Sequence, residues 1–164
     1  MSFSDIEDLS MDPRYYPKYL YRVHIPGVSI TDWDKKIGFR CGASGNFNMC
    51  SRSELSGAIR SHLDWSCTKP SYLISTFDDE DRALDWAWGR IDGGAKTAQL
   101  MTIDPDDIVS RRGTPNPIFD VSFVVRRYPD MLPHRVKEAW VQDEVVVLYK
   151  IPIGAVRKIE KITA

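Results

Sequence analysis

A chain of 164 residues and 18.8 kDa has the length of one domain, since single domains commonly run to roughly 100–200 residues; a second catalytic domain does not fit. Hydrophobic residues make up 43%, aromatic residues 11% and charged residues 27%, which is enough apolar material for a core and carries no signature of disorder. With 22 Lys plus Arg against 23 Asp plus Glu the formal charge is -1, so no global positive field exists to hold nucleic acid or an anionic membrane, and any such contact must be local.

In chain order, residues 1–18 are acidic and polar and lack the charged start and apolar run of a signal peptide. No later stretch approaches the roughly 18 apolar residues that span a bilayer. An intracellular protein, or a domain of a longer chain, is expected. Pro13 and Pro17 flank Arg14-Tyr15-Tyr16 and mark residues 1–18 as a loosely attached arm ahead of one domain over 19–164. Residues 19–24 have the β-branched and aromatic content of a strand, which Pro26-Gly27 stops. Residues 29–51 are rich in Gly, Asn, Ser and Cys and read as a long loop, with Gly38-Phe39-Arg40 inside it.

Leu55, Ala58, Ile59 and Leu63 recur at helical spacing, which predicts a helix over 51–65 with Ser51 or Ser53 as its cap. Residues 70–76 read as a short buried strand. A second helix is predicted over 78–91, with Leu84, Ala87, Trp88 and Ile91 as its apolar positions and acidic residues in its first turn. Strand-like segments follow at 98–102, 118–125, 144–151 and 155–162, with a short helix around 132–139. Helices come early and strands late, an α+β order without the βαβα alternation of a doubly wound sheet. Gly42-Ala-Ser-Gly45 is not the phosphate-binding fingerprint of such a sheet and reads as loop.

The chemistry-bearing residues narrow the choice further. Cys41, Cys50 and Cys67 are odd in number and lack C-x-x-C spacing, which argues for reduced, partly buried thiols against a disulfide scaffold or a zinc site. His24, His62 and His134 form no metal-ligand pattern, so no metal is expected, and His62 on its helix face reads first as a hydrogen-bonded structural residue. What stands out is an ordered trio: Arg22 on the first strand, Ser75-Thr76 on the next, and Gln142-Asp143-Glu144 opening an apolar strand. Taken singly, Arg22 could pair with a strand-end acid, Ser75-Thr76 could cap the following helix, and Glu144 could be an exposed strand-start carboxylate.

Taken together, the trio resembles the mono-ADP-ribosyltransferases of the Arg-Ser-Glu class, the cholera-toxin-like and pierisin-like enzymes, whose pattern is Tyr-Arg, then Ser-Thr-Ser, then Gln/Glu-x-Glu. The match covers roughly residues 19–159 and extends to Gly38-Phe39 after the arginine, to His62 on a helix upstream of Ser75, and to Ile151-Pro152 after Glu144. The chain also looks like fungal domains with a Tyr-Arg-Val start and an Ile-Ser-Thr-Phe centre. Phe77 departs from the pattern, because the motif ends in Ser there.

The resemblance implies a split, two-sheet ADP-ribosyltransferase fold with NAD bound as a substrate between the sheets. It implies a toxin-like glycosyltransferase activity, the transfer of ADP-ribose to a macromolecular acceptor, with NAD hydrolysis as a side reaction. Glu144 would stabilise the ribosyl cation, Arg22 would position the phosphates and Ser75 would orient Glu144. Thr76 would support the strand, His62 would contact a ribose, and Phe39 would wall the nicotinamide. Gln142, two residues before Glu144, would share its face if both lie on extended strand, and would engage the acceptor. In the family, Gln at this position goes with asparagine or guanine acceptors, so arginine is disfavoured and the acceptor is nucleic acid or protein. The alternative is an inactive descendant of the fold that binds a protein or nucleotide. No membrane partner is expected, and a monomer is favoured.

Overall fold

A computed structural model of the chain describes residues 8–29, 31–44, 52–64, 67, 69–110 and 112–164. Gly45, Cys50, Ser51 and Arg111 lie outside the described residues, as do residues 1–7 of the arm.

Among the described residues, two antiparallel sheets and three helices of seven residues or more are laid around shared apolar seams, the α+β, split two-sheet architecture expected. The larger sheet holds β1 (Leu20–His24), β4 (Leu73–Phe77), β5 (Thr97–Ile103), β6 (Ile118–Asp120), β7 (Glu144–Leu148) and β9 (Val156–Thr163), in the spatial order β6-β7-β4-β1-β5-β9. The smaller sheet is β2 (Asp32–Asp34), β3 (Gly38–Arg40) and β8 (Lys150–Pro152). Alternation along the strands sends Leu20, Ile74, Met101, Val145 and Val147 to one face of the large sheet, where they pack with Phe39 and Ile151 of the small one. The opposite face carries α1 (Arg52–Leu63) through Leu55, Ile59 and Leu63, and α2 (Glu80–Asp92) through Ala83, Ala87 and Ile91. Helix α3 (Val121–Arg127) packs beside α1 in the same cluster.

Several local expectations change. Residues 29–51 are not all loop: the Asp34 carboxylate accepts from the N–H groups of Lys36 and Ile37, closing a turn that pairs β2 with β3. Gly38 has φ +105, and a Cβ there would sit 2.2 Å from the Ile151 carbonyl oxygen, so only glycine lets β3 approach β8 this closely. The strand expected over 118–125 ends at Asp120, whose carboxylate accepts from the Phe123 N–H and caps α3; the valines that followed then bury as a helix face. No helix spans 132–139. Pro133, which has no N–H to donate, separates 3₁₀ turns at Pro129–Met131 and Glu138–Val141.

The strand expected over 144–151 is broken at Tyr149, whose φ of 64 turns the chain out of the large sheet and into the small one. On α2, Ala83 takes the core position and Trp88, expected to be buried, is 44% exposed. The described part of the arm is not loose: Leu9 is buried and the Met11 N–H donates to the Ile118 carbonyl at 2.7 Å.

Candidate functional site

The site grows from the seam between β4 and β7. These strands pair without interruption from Leu73 opposite Leu148 to Phe77 opposite Glu144. Residues directly opposite share a face and diagonal neighbours lie within side-chain reach, so the register alone brings Ser75 and Glu144 together. The Ser75 hydroxyl donates to Glu144 Oε1 at 2.8 Å. Beneath them, the Thr76 hydroxyl is fully buried and donates to the Val145 carbonyl at 2.6 Å, a side-chain tie across the same seam.

Helix α1 brings His62 over this pair. Its Nε2 lies 2.6 Å from Ser75 Oγ, its Nδ1 lies 2.7 Å from Ser71 Oγ, and the Leu73 N–H donates to that same Ser71 oxygen. Because the single Ser75 proton is given to Glu144, Nε2 must be the donor to Ser75; in the neutral imidazole that leaves Nδ1 to accept from the Ser71 hydroxyl. In that tautomer donation runs one way, from Leu73 through Ser71, His62 and Ser75 to the carboxylate, and each bond polarises the next. His62 Nε2 to Glu144 Oε1 is 3.6 Å, too far for a direct hydrogen bond, so the histidine acts on the glutamate through Ser75. Ser71 escaped the sequence reading, although its even spacing from Ser75 was a usable sign of a shared face.

Arg22 reaches the pair from the other side. β1 pairs with β5 along its whole length but meets β4 at a single register position, Tyr21 opposite Phe77. Beyond that point the sheet parts, and Arg22 Nη1 donates at 2.8 Å to the Ser75 carbonyl, supplying a donor where strand pairing has stopped. Arg22 is 9% exposed, and its guanidinium stands 5.3 Å from the centre of the Phe39 ring. Burial pulls its pKa down to about 10, and the nearby Glu144 carboxylate draws it back up. It makes no ion pair among the described residues and satisfies a neutral carbonyl instead.

The structure thus brings together Arg22, Ser75, Thr76, His62 and Glu144. It treats two other expected residues differently. Phe39 is fully buried with Trp33 at 4.6 Å and Arg22 over its ring, so it supports the arginine and has no open face to offer a nicotinamide. Gln142 does not lie on the strand: its backbone is α-helical at the end of a 3₁₀ turn and β7 begins only at Glu144, so period-two alternation does not put the two side chains on one face. Gln142 is exposed in that turn. The helix cap after β4 is Asp79, which accepts from the Arg82 N–H, and Ser75 and Thr76 are left to the site. Phe77, opposite Glu144, turns to Trp86 of α2, 6.4 Å between ring centroids.

Asp78 borders the site, its N–H donating to the Asp143 carbonyl. Partial burial, with Asp143, Asp120 and Asp79 nearby, pushes its pKa up to about 6. A cavity of about 690 Å³, lined by Asp107, Asn116, Tyr149 and Lys150 among others, lies at the small sheet and includes none of the trio. Among the described residues no three His, Cys, Asp or Glu are grouped to hold a metal, and no helix is long and apolar enough to cross a membrane. Cys41 and Cys67 are free thiols, and burial raises the Cys41 pKa.

The solved structure of EcPltA, an ADP-ribosyltransferase toxin subunit, superposes with a TM-score of 0.55 over 91% of this chain and 78% of its own, at 16% sequence identity. At that identity the likeness is one of fold, and the fold is ADP-ribosyltransferase-like. By sequence, residues 15–164 match a family described as "Domain of unknown function (DUF7587)", and the chain belongs to that family. No curated protein matches it.

Proposed function

We propose that the protein is an NAD-dependent mono-ADP-ribosyltransferase. It would move ADP-ribose to a macromolecular acceptor, a guanine base or a protein side chain other than arginine, with hydrolysis of NAD by water as its side reaction. The observation that carries the reading is the 2.8 Å bond from Ser75 to Glu144 Oε1, placed beside Arg22 where the sheet parts.

In the reaction the C1′–nitrogen bond of the nicotinamide ribose breaks and its electron pair leaves with neutral nicotinamide. The ribose becomes cation-like, and the acceptor's nucleophilic atom bonds to C1′ as its proton departs. A fixed carboxylate beside C1′ stabilises that developing charge. Ser75 holds Oε1, which leaves Oε2 for a ribose hydroxyl. His62, tied at both nitrogens, keeps Ser75 aimed at the glutamate. Arg22 offers the nitrogens not used on Ser75 to a phosphate oxygen. Gln142, exposed two residues ahead of Glu144, is where an acceptor would arrive.

The test is nicotinamide release from NAD by the wild-type protein and by Glu144→Gln, which keeps the side-chain volume and removes the charge. Release by the wild type that falls by about 10²–10³ in the variant, with an unchanged melting temperature, is expected. NAD-dependent thermal stabilisation without any release would replace this reading with the binding module, to which Phe77 in the place of a motif serine already points.

A further inference from the structure

Strand β1 carries a second polar side chain on the arginine's face. His24 lies two residues after Arg22, and period-two alternation aligns them. Both meet the same ring: Arg22 stands 5.3 Å over Phe39 and the His24 imidazole meets it edge-on at 6.1 Å. Two buried side-chain polar atoms without a hydrogen-bond partner are found among the described residues, Arg22 Nε and His24 Nδ1. A buried donor with no acceptor is expensive, and native structures avoid it unless something absent from the protein itself supplies the partner. That both orphans occur on one strand, two residues apart and beside one ring, makes a shared external partner the simplest physical account.

The chemistry of the two groups sets the partner's class. Arg22 is nine-tenths buried, and its hydrogen-bonded acceptor is the neutral Ser75 carbonyl. A buried guanidinium in that situation calls for an anion. Burial and the neighbouring Arg22 charge hold His24 toward its neutral form, in which Nδ1–H can donate to the same anionic oxygens. His24 is half-buried, so the pair is not sealed in the core.

We propose that His24 and Arg22 form one anion subsite in the split between β1 and β4, and that His24 contacts the pyrophosphate of the nucleotide substrate. The anion is argued from the two orphan atoms, and its identity as a pyrophosphate rests on the transferase reading above. Phe39 then serves as the fixed spacer between the two donors.

Nuclear magnetic resonance of the imidazole nitrogens in the full chain tests this, with inorganic pyrophosphate and ADP-ribose as the probes and the His24 signal identified by its loss in His24→Asn. The His24 Nδ1 signal should shift and saturate with either probe. His24→Ala should weaken pyrophosphate binding by about tenfold or more, and His24→Asn, whose amide N–H stands near the Nδ1 position, should restore most of it. In nicotinamide release, His24→Ala should raise KM for NAD by a similar factor with kcat changed by less than about twofold, a split that general loosening of the fold would not give. An unmoved His24 signal, or a His24→Ala protein that binds pyrophosphate like the wild type, overturns the subsite whether or not NAD is cleaved. A shifted signal in a protein that releases no nicotinamide upholds the anion subsite and overturns the transferase reading alone.

Discussion

The two seams that meet at β4 are built to opposite ends. Toward β7, β4 is paired along its whole length and riveted by Thr76; this closed seam fixes Ser75 and Glu144. Toward β1 it is paired at one position, and the open seam holds Arg22, whose bonds run to a single carbonyl. A carboxylate that must meet a reaction centre gains from backbone registry, because its position is then set by many hydrogen bonds at once. A substrate needs room, and leaving a sheet unpaired for a few residues makes room at the price of unsatisfied polar atoms. The orphans Arg22 Nε and His24 Nδ1 stand at that opening.

The sharpest way to break the comparison is Arg22→Met. A buried charge without an ion-pair partner contributes little to stability, so the variant should melt no lower than the wild type while nicotinamide release falls by about 10²–10³. A melting temperature lower by several degrees would make the arginine a tie that closes the open seam. Ser75→Ala comes next. Freed of its donor, Glu144 should lose about ten- to a hundredfold in kcat, with KM for NAD almost unchanged, as steady-state kinetics would read.

Thr76→Val addresses the closed seam itself. Urea unfolding should show a loss of about 1 kcal/mol with an unchanged slope, since one buried hydrogen bond is removed and the shape is kept. The smallest effect belongs to Asp78. Its folded pKa of about 6 lies above the 3.8 of an unperturbed aspartate, so its contribution is fully present below the lower value and is lost as pH rises through the upper. Asp78→Asn should therefore flatten the stability profile between about pH 4 and pH 6, and because the partly exposed carboxylate is still screened by solvent the difference should stay below about 1 kcal/mol. Equal profiles for the two proteins would remove the acidic border from the account.

Much of this was legible in the chain. Leu55, Ile59 and Leu63 announced α1 by their spacing, and the α+β order followed from helices preceding strands. Arg22, Ser75 and Glu144 could be picked out as an ordered trio because each opens or lines a strand-like segment and their order matches the Arg-Ser-Glu pattern that the chain resembles. Gln142 was misplaced for the same reason: alternation was extended two residues upstream, where the backbone had already turned helical. The valines after Asp120 misled too, since β-branched residues favour a strand until a capping carboxylate overrides them.

The sequence by itself determined which residues could do chemistry and which elements would carry them, because periodicity and residue type are local properties. Only the tertiary structure decided how they meet. The hydrogen-bonded chain from Ser71 through His62 and Ser75 to Glu144 joins α1, the approach to β4, and β7, segments as far apart as 69 residues for the Ser75–Glu144 bond. The parting of β1 from β4, the turn at Tyr149 that sends one apolar run into two sheets, and the burial of Phe39 beneath Arg22 likewise depend on long-range pairing. Such contacts arise from register and packing between segments distant in the chain, which no short stretch of sequence encodes.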